Sequence, residues 1–67
     1  MGLDGLTSRE VQVLLLIADG LSNREIAERL AIAEQSAKNH VSNLMRKLDV
    51  HNRTAAAAIA RESGLSG

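Results

Sequence analysis

The sequence predicts an all-α domain built from four helices, and three observations support this fold class. Leucine and alanine, which have high helix propensity, occur ten times each among the 67 residues, whereas β-branched residues are few. Two Ser/Thr-x-x-Glu patterns, which commonly start helices, each precede apolar residues at helical spacing. No segment shows the apolar–polar alternation of a strand. We therefore expect residues 1–67 to form one small domain around one core.

The first helix is expected over residues 8–19, in the stretch LTSREVQVLLLIADG. Thr7 is the predicted N-cap, and Glu10 three residues later completes a capping box. Gly20 follows at the position where a left-handed residue ends many helices. Four apolar residues at helical spacing are expected to face the core: Val11, Leu14, Leu15 and Ala18.

The second helix is expected over residues 23–30, because Ser22 and Glu25 form another capping box. The last helix is expected over residues 53–63, with Asn52 as its N-cap. Its run of four alanines favours a helix on propensity alone.

The third helix is expected over residues 34–48, only three residues after the second one ends. A short helix, a tight turn and a longer helix together predict a helix-turn-helix motif. Ile32 is the apolar residue of the turn and should point inward, and Asp49 is expected to end the helix in a left-handed conformation. At 100° per residue the third helix has one apolar stripe, formed by Ala37, Val41, Leu44 and Leu48.

The opposite side of the third helix, called the outer face below, is polar and lacks a carboxylate. It is formed by Gln35, Lys38, Asn39, Ser42 and Arg46. Amides and cations contact phosphates and base edges of DNA, whereas a merely solvated helix face more often mixes Glu with Lys. Although the net charge is zero, residues 1–34 have a balance of −3 and residues 35–67 a balance of +3. The positive half contains the outer face, so one side of the domain can approach a polyanion.

Several functional classes find no support in the sequence. There is no cysteine for a disulfide or a thiolate metal site, and His40 and His51 do not share a helix face, so neither a metal nor a cofactor is expected. No nucleophile motif or glycine-rich turn indicates an enzyme. The chain shows no signal peptide and no apolar run of ~20 residues, so we expect a cytoplasmic protein without membrane contact.

Motifs along nearly the whole chain resemble the DNA-binding domain of LuxR-type (GerE-like, NarL/FixJ-type) bacterial transcription regulators. The family pattern resembles L-T-x-R-E, then G-x-S-N-x-E-I-A-x-x-L, then T-V-K-x-H, then K-L-x-V-x-x-R-T. The matching residues are Leu6, Thr7, Arg9, Glu10, Gly20, Ser22, Asn23, Glu25, Ile26, Ala27, Leu30, Lys38, His40, Lys47, Leu48, Val50, Arg53 and Thr54. The chain departs from the family at Ala33, where a serine usually caps the third helix, and at Ser36-Ala37, where Thr-Val is usual.

The resemblance implies that the domain binds double-stranded DNA, with the third helix in the major groove. Lys38 and Asn39 are the first candidates for base contact, and Gln35 lies nearby at the leading end. Ser42 and Arg46 lie farther along the helix and are candidates for phosphate contact. The alternative is that these side chains form only a solvated face.

Two further groups are candidates for phosphate contact. Ser22, Asn23 and Arg24 open the second helix, where free backbone N–H groups and the helix dipole favour an anion. For Ser22 the alternative is capping alone. Lys47 and Arg53 flank the third and fourth helices, although Lys47 has the alternative of covering the core with its aliphatic stem.

The resemblance also implies a dimer formed through the last helix, with Thr54, Ala58 and Arg61 facing the partner. Because that surface is small, we expect a weak homodimer that DNA strengthens. An N-terminal receiver or sensor domain outside this chain is a further expectation. Two other functions stay open at this point: a sigma-factor-like promoter-reading domain and a protein–protein interaction module.

Overall fold

The computed structural model describes residues 5–63, which form four helices in the predicted order. They are α1 (Ser8–Ala18), α2 (Asn23–Leu30), α3 (Glu34–Leu48) and α4 (Arg53–Glu62). No strand occurs in this part of the chain, so the all-α prediction is confirmed. The short α2, the turn and the longer α3 make the predicted helix-turn-helix.

Two predicted helix ends were wrong by one residue, because Asp19 and Ser63 are C-caps rather than helical residues. Gly20 turns the chain at φ +88°, and its N–H bonds to the carbonyl of Ile17, which tightens the last turn of α1. The hydroxyl and the N–H of Ser63 both donate to the carbonyl of Ile59, which caps α4.

Both predicted capping boxes are present. The Thr7 N–H donates to Glu10 Oε1 at 2.9 Å, and the Glu10 N–H donates back to Thr7 Oγ1 at 3.1 Å. Ser22 and Glu25 make the same reciprocal pair at 2.8 and 3.1 Å. These bonds satisfy backbone donors that would otherwise lack a partner, and they fix where α1 and α2 begin. The Asn52 side chain caps α4 by accepting from the Ala55 N–H.

The helix that carries the outer face lacks such a cap. Ala33 is the N-cap of α3 and makes no side-chain hydrogen bond there. The preceding turn begins at Ala31, which is left-handed with φ 57° and ψ 45°, a region that residues with a Cβ seldom adopt. At the other end, Asp49 is left-handed with φ 58°, as the sequence predicted.

The core lies where α1 packs on α3 and α4 while α2 packs on α3. It consists of Val13, Leu14, Ile17, Ile26, Ala27, Ala37, Val41, Leu44, Ala56, Ala57 and Ala60. Leu48 and Ile32 are half-buried against this cluster, as expected for the stripe of α3 and the turn. Three alanines of α4 are buried, and their small side chains leave room for α1 to approach.

The predicted buried stripe of α1 was partly wrong. Leu14 is buried as predicted, but its buried neighbours on α1 are Val13 and Ile17. The other residues of the predicted stripe are only half-buried: Val11, Leu15 and Ala18. Apolar residues surround most of α1, so the sequence allows two stripes that differ by rotation about the helix axis. The observed stripe is selected by packing, because α1 must contact both α3 and α4.

No helix within residues 5–63 has the length and apolar character needed to cross a membrane.

Candidate nucleic-acid interface

The outer face of α3 is open to solvent along its length. Gln35, Lys38, Asn39, Ser42 and Arg46 are all exposed. On the other side of the same helix, Ala37 and Leu44 have no exposed surface. The apolar stripe therefore anchors α3 to the core and holds the amides and cations outward, which is the geometry that insertion into a major groove requires.

Two side-chain hydrogen bonds organise the outer face. Gln35 Nε2 donates to Asn39 Oδ1 at 3.1 Å, across one turn of the helix. Arg46 donates through a guanidinium nitrogen to Asn43 Oδ1 at 2.5 Å. Asn43 was not predicted as part of this surface, although its spacing of three residues from Arg46 is one at which helix side chains meet.

The predicted phosphate site at the start of α2 has its side chains engaged within the molecule. Ser22 is occupied as the N-cap, as the alternative interpretation held. Asn23 is half-buried, and its Oδ1 accepts a hydrogen bond from Arg53. Arg24 is exposed and lies 3.5 Å from the carboxylate of Glu28 on the next turn. An exposed pair of this kind is weak, so Arg24 can exchange Glu28 for another anion.

Arg53 joins three parts of the fold. From the first position of α4, its guanidinium donates to Asn23 Oδ1 at 2.6 Å and to the carbonyl of Leu21 at 2.5 Å. The planar fork of arginine suits two acceptors at once. Arg53 thus ties α4 to the loop that precedes α2, and it lies half-buried rather than on the open surface.

Lys47, near the C-terminal end of α3, is also held by contacts within the molecule. Its ammonium group lies 2.8 Å from Glu10 Oε1 and 3.2 Å from the carbonyl of Gly5. The side chain of Lys47 is 43% exposed, whereas that of Glu10 is 6% exposed. The pair connects the end of α3 directly to the start of α1.

Glu10 is the one buried charged side chain within residues 5–63, although its sequence pattern predicts only a capping box. A hydrogen bond from Lys47, followed by one from the Thr7 N–H, holds the pKa of the Glu10 carboxyl below its ordinary value. The spacing of Glu10 from Val13, Leu14 and Ile17 places it on the buried stripe. The burial of Glu10 could be deduced from this spacing only if the observed stripe of α1 were already known.

The three residues predicted for dimerisation form one stripe along α4. Thr54 and Arg61 are exposed and Ala58 is half-buried. Thr54 and Arg61 also line a shallow groove between α4 and the end of α1, together with Ala57 and Gly20. The stripe is therefore accessible to a second molecule.

Comparison with known sequences shows one family over nearly the whole chain. Residues 4–60 match the sequence profile of the family described as "Bacterial regulatory proteins, luxR family". The matched range includes every residue of the outer face and of the helix-turn-helix.

Individual relatives agree with this match. The chain is 54% identical over 57 residues to a nitrate/nitrite response regulator protein homolog of Haemophilus influenzae, covering 85% of this chain and 27% of the relative. It is 45% identical over 62 residues to the transcriptional regulatory protein LiaR of Bacillus subtilis, covering 92% and 29%. It is 48% identical over 60 residues to the response regulator protein VraR of Staphylococcus aureus, covering 90% and 29%. The chain thus spans less than a third of the length of these relatives.

Proposed function

The chain belongs to the LuxR family of bacterial regulatory proteins, and from this premise we propose that it binds double-stranded DNA sequence-specifically as the output domain of a transcription regulator. Family membership favours this function over the sigma-factor-like alternative. The names of two relatives, response regulator and transcriptional regulatory protein, are consistent with it. DNA binding also agrees with the cytoplasmic location that the sequence suggested.

The observation that carries the proposal is the exposure of the outer face on a helix whose opposite side is anchored by the buried residues Ala37, Val41 and Leu44. Lys38 and Asn39 stand free of the core at the N-terminal half of α3 and are the proposed base contacts. Gln35 lies beside Asn39 and takes part in the same contact. Ser42 and Arg46, nearer the C-terminal half, are the proposed phosphate contacts on that helix.

The start of α2 contributes the second set of proposed phosphate contacts. The capping box engages the N–H groups of Ser22 and Glu25, which leaves those of Asn23 and Arg24 at the positive end of the helix dipole. The Arg24 side chain is exposed beside them. In this scheme Ser22 and Asn23 contribute mainly by shaping the backbone, because their side chains are already hydrogen-bonded. Lys47 and Arg53 act through the fold rather than as principal phosphate contacts.

A titration of labelled duplexes tests the proposal. The wild-type chain should bind a selected operator more tightly than random duplex, and its affinity should fall steeply with salt because phosphate contacts release counterions. Lys38→Ala should remove the preference for the operator while leaving the helical circular dichroism unchanged. The matched control is Arg29→Ala, which removes an exposed cation of α2 outside the outer face. Equal operator affinity for wild type and Lys38→Ala would reject the role of Lys38.

We further propose that two copies pair through Thr54, Ala58 and Arg61 when they occupy adjacent half-sites. The stripe is short and contains a small residue at its centre, so the pair should be weak without DNA. Sedimentation at micromolar concentration should therefore show a monomer, and addition of a two-site duplex should give a 2:1 complex. A tight dimer in the absence of DNA would contradict this arrangement.

The relatives suggest the context of the domain. Because they are more than three times as long as the matched segment, we propose that this chain functions as part of a longer regulator with a receiver or sensor domain. If the domain were instead a protein–protein interaction module, adding DNA should leave its amide chemical shifts unchanged. Amide chemical shifts that move on DNA addition within residues 35–46 would decide in favour of DNA binding.

A further inference from the structure

A shallow groove, called the C-terminal groove below, runs from the end of α3 onto the loop that leads to α4. Met45 and Val50 are half-buried against the core and form its apolar base. The residues of its rim are exposed: Ser42, Arg46, Asp49 and His51. Because Ser42 and Arg46 also belong to the outer face, the C-terminal groove continues that face beyond the end of α3.

The loop that carries His51 is fixed on both sides. The Val50 N–H donates to the carbonyl of Met45, 3.0 Å away in the last turns of α3. On the other side of His51, the Asn52 side chain caps α4. The backbone of His51 is therefore held beside the C-terminal groove, while its exposed imidazole is accessible to a ligand.

The charges that face His51 cancel each other. Arg46 from α3 contributes one positive charge to the rim, and Asp49 from the loop contributes one negative charge. Lys47 and Arg53, the nearest other cations in the sequence, are engaged in contacts within the molecule, and neither lines the C-terminal groove. Protonation of His51 thus changes the formal charge of the rim from zero to +1.

The C-terminal groove lies where α3 would leave the major groove of DNA. With 15 residues, α3 is about 22 Å long, whereas the major groove is about 12 Å wide. If Lys38 and Asn39 contact base edges, the far end of α3 reaches the phosphates that border the major groove. The backbone there presents a phosphate beside each deoxyribose. An apolar base next to a polar rim suits this combination.

On the basis of the DNA-binding function proposed above, we infer that His51 is a further DNA-contacting residue: in its protonated form it binds a backbone phosphate together with Ser42 and Arg46. Histidine is the side chain type that changes charge between about pH 5 and pH 8. An imidazolium donates a charge-assisted hydrogen bond to a phosphate oxygen, whereas a neutral imidazole adds no charge to offset Asp49. DNA binding in turn favours the protonated form, so affinity should rise as the pH falls through this range.

Titrations of the selected operator at constant ionic strength, at about pH 5.5 and about pH 8, test this inference. Wild-type affinity should be about two- to fivefold higher at the lower pH, which is the range that one exposed ion pair provides. The slope of log affinity against log salt should also be steeper by about one at the lower pH, because one more cation neutralises a phosphate.

Two variants of His51 and one control identify the source of the effect. His51→Gln is neutral throughout and should have the lower affinity at both pH values, whereas His51→Lys should keep the higher affinity at both. The control is His40→Gln, at the one other histidine of the chain. His40 lies two residues from Ser42, about 160° away around α3, and its replacement should leave the pH dependence at the wild-type level.

The outcomes separate the inference from the function on which it rests. Equal affinities of wild type and His51→Gln at the lower pH, or a wild-type salt slope that is the same at both pH values, would overturn the phosphate contact while leaving DNA binding intact. A pH dependence that disappears in His40→Gln and persists in His51→Gln would overturn it as well. Failure of every duplex to bind at either pH would reject the proposed function, and the inference with it.

Discussion

The ammonium group of Lys47, at the end of α3, lies 2.8 Å from a carboxylate oxygen of Glu10 at the start of α1. The Glu10 oxygen also accepts the Thr7 N–H, so one atom links the cap of α1 to α3. Because the Glu10 side chain is 6% exposed, its charge depends on these two donors rather than on water. Protonation of Glu10 would therefore weaken this link between α1 and α3.

The first prediction concerns how the stability of the fold depends on pH through Glu10 and Lys47. The pKa of Glu10 is lowered in the folded chain, chiefly by the hydrogen bond from Lys47, so its stabilising contribution is present above the ordinary glutamate pKa of about 4.3. That contribution is lost as the pH falls through the lower, folded-state value. Lys47→Met should therefore reduce the free energy of unfolding at pH 7 by about 1–2 kcal/mol, a value discounted for the exposure of Lys47. Urea titrations from pH 7 to pH 3 measure both effects.

The control for this prediction is Arg46→Met, which removes the neighbouring exposed cation. It should leave the dependence of unfolding on pH unchanged. Equal stability losses in the two variants, with parallel pH profiles, would show that the Lys47–Glu10 ion pair does not contribute as described.

Local features of the fold were predictable from sequence, because they depend on residues three or four positions apart. Both capping boxes, the left-handed Asp49 and the bounds of α2 and α3 follow from such spacings. The buried stripe of α1 could not be predicted from such spacings. Apolar residues lie on several sides of that helix, so more than one rotation of the helix about its axis would bury an apolar face. The choice is made by contacts with α3 and α4, which are distant in the sequence.

The same distinction applies to the candidate site. The exposure of Lys38 and Asn39 follows from the helical period of α3. The partners of Lys47 and Arg53 do not follow from helical spacing. Lys47 contacts a residue 37 positions away, and Arg53 contacts residues 30 and 32 positions away. A cation near the end of a helix is compatible with a phosphate contact or with an internal ion pair, and only tertiary packing distinguishes them.

The second prediction concerns the missing cap of α3. Ala33 has the extended conformation of an N-cap, with φ −66° and ψ 148°, but its side chain cannot accept from the helix. Ala33→Ser should stabilise the domain by about 1 kcal/mol, since a serine oxygen can satisfy a free N–H of the first turn. Thermal and urea unfolding measure the gain. Ala58→Ser, within α4, is the control and should be neutral or slightly destabilising; a similar gain there would mean that capping is not the cause.

The third prediction concerns backbone strain in the turn. Ala31 occupies the left-handed region at φ 57°, where a Cβ is unfavourable and glycine is not. Ala31→Gly should therefore raise the free energy of unfolding by about 0.5–1 kcal/mol. Ala55→Gly makes the same chemical change inside α4 and should lower stability by about 1 kcal/mol. The opposite signs are the diagnostic result, and a loss of stability in both variants would refute the strain argument.

The last prediction separates an internal role of Arg53 from a phosphate contact. If Arg53 serves the fold, Arg53→Ala should lower the free energy of unfolding by about 1–2 kcal/mol, because the Asn23 and Leu21 oxygens lose a charged donor. The slope of log affinity for DNA against log salt should stay unchanged, since no phosphate contact is lost. Arg46→Ala, at a proposed phosphate contact, should show the reverse pattern, with nearly unchanged stability and a salt slope reduced by about one.

Arg53→Lys sharpens the comparison, because lysine keeps the positive charge but lacks the planar fork that holds two acceptors. The Arg53→Lys variant should lose nearly as much free energy of unfolding as Arg53→Ala while retaining the wild-type salt slope. All binding must be measured at a temperature where circular dichroism shows every variant to be folded. A salt slope that falls in Arg53→Ala, with the free energy of unfolding unchanged and the slope restored in Arg53→Lys, would establish instead that Arg53 contacts DNA. The two measurements are independent, because unfolding reports the link between α4 and the loop before α2, whereas the salt slope counts the cations that neutralise phosphates.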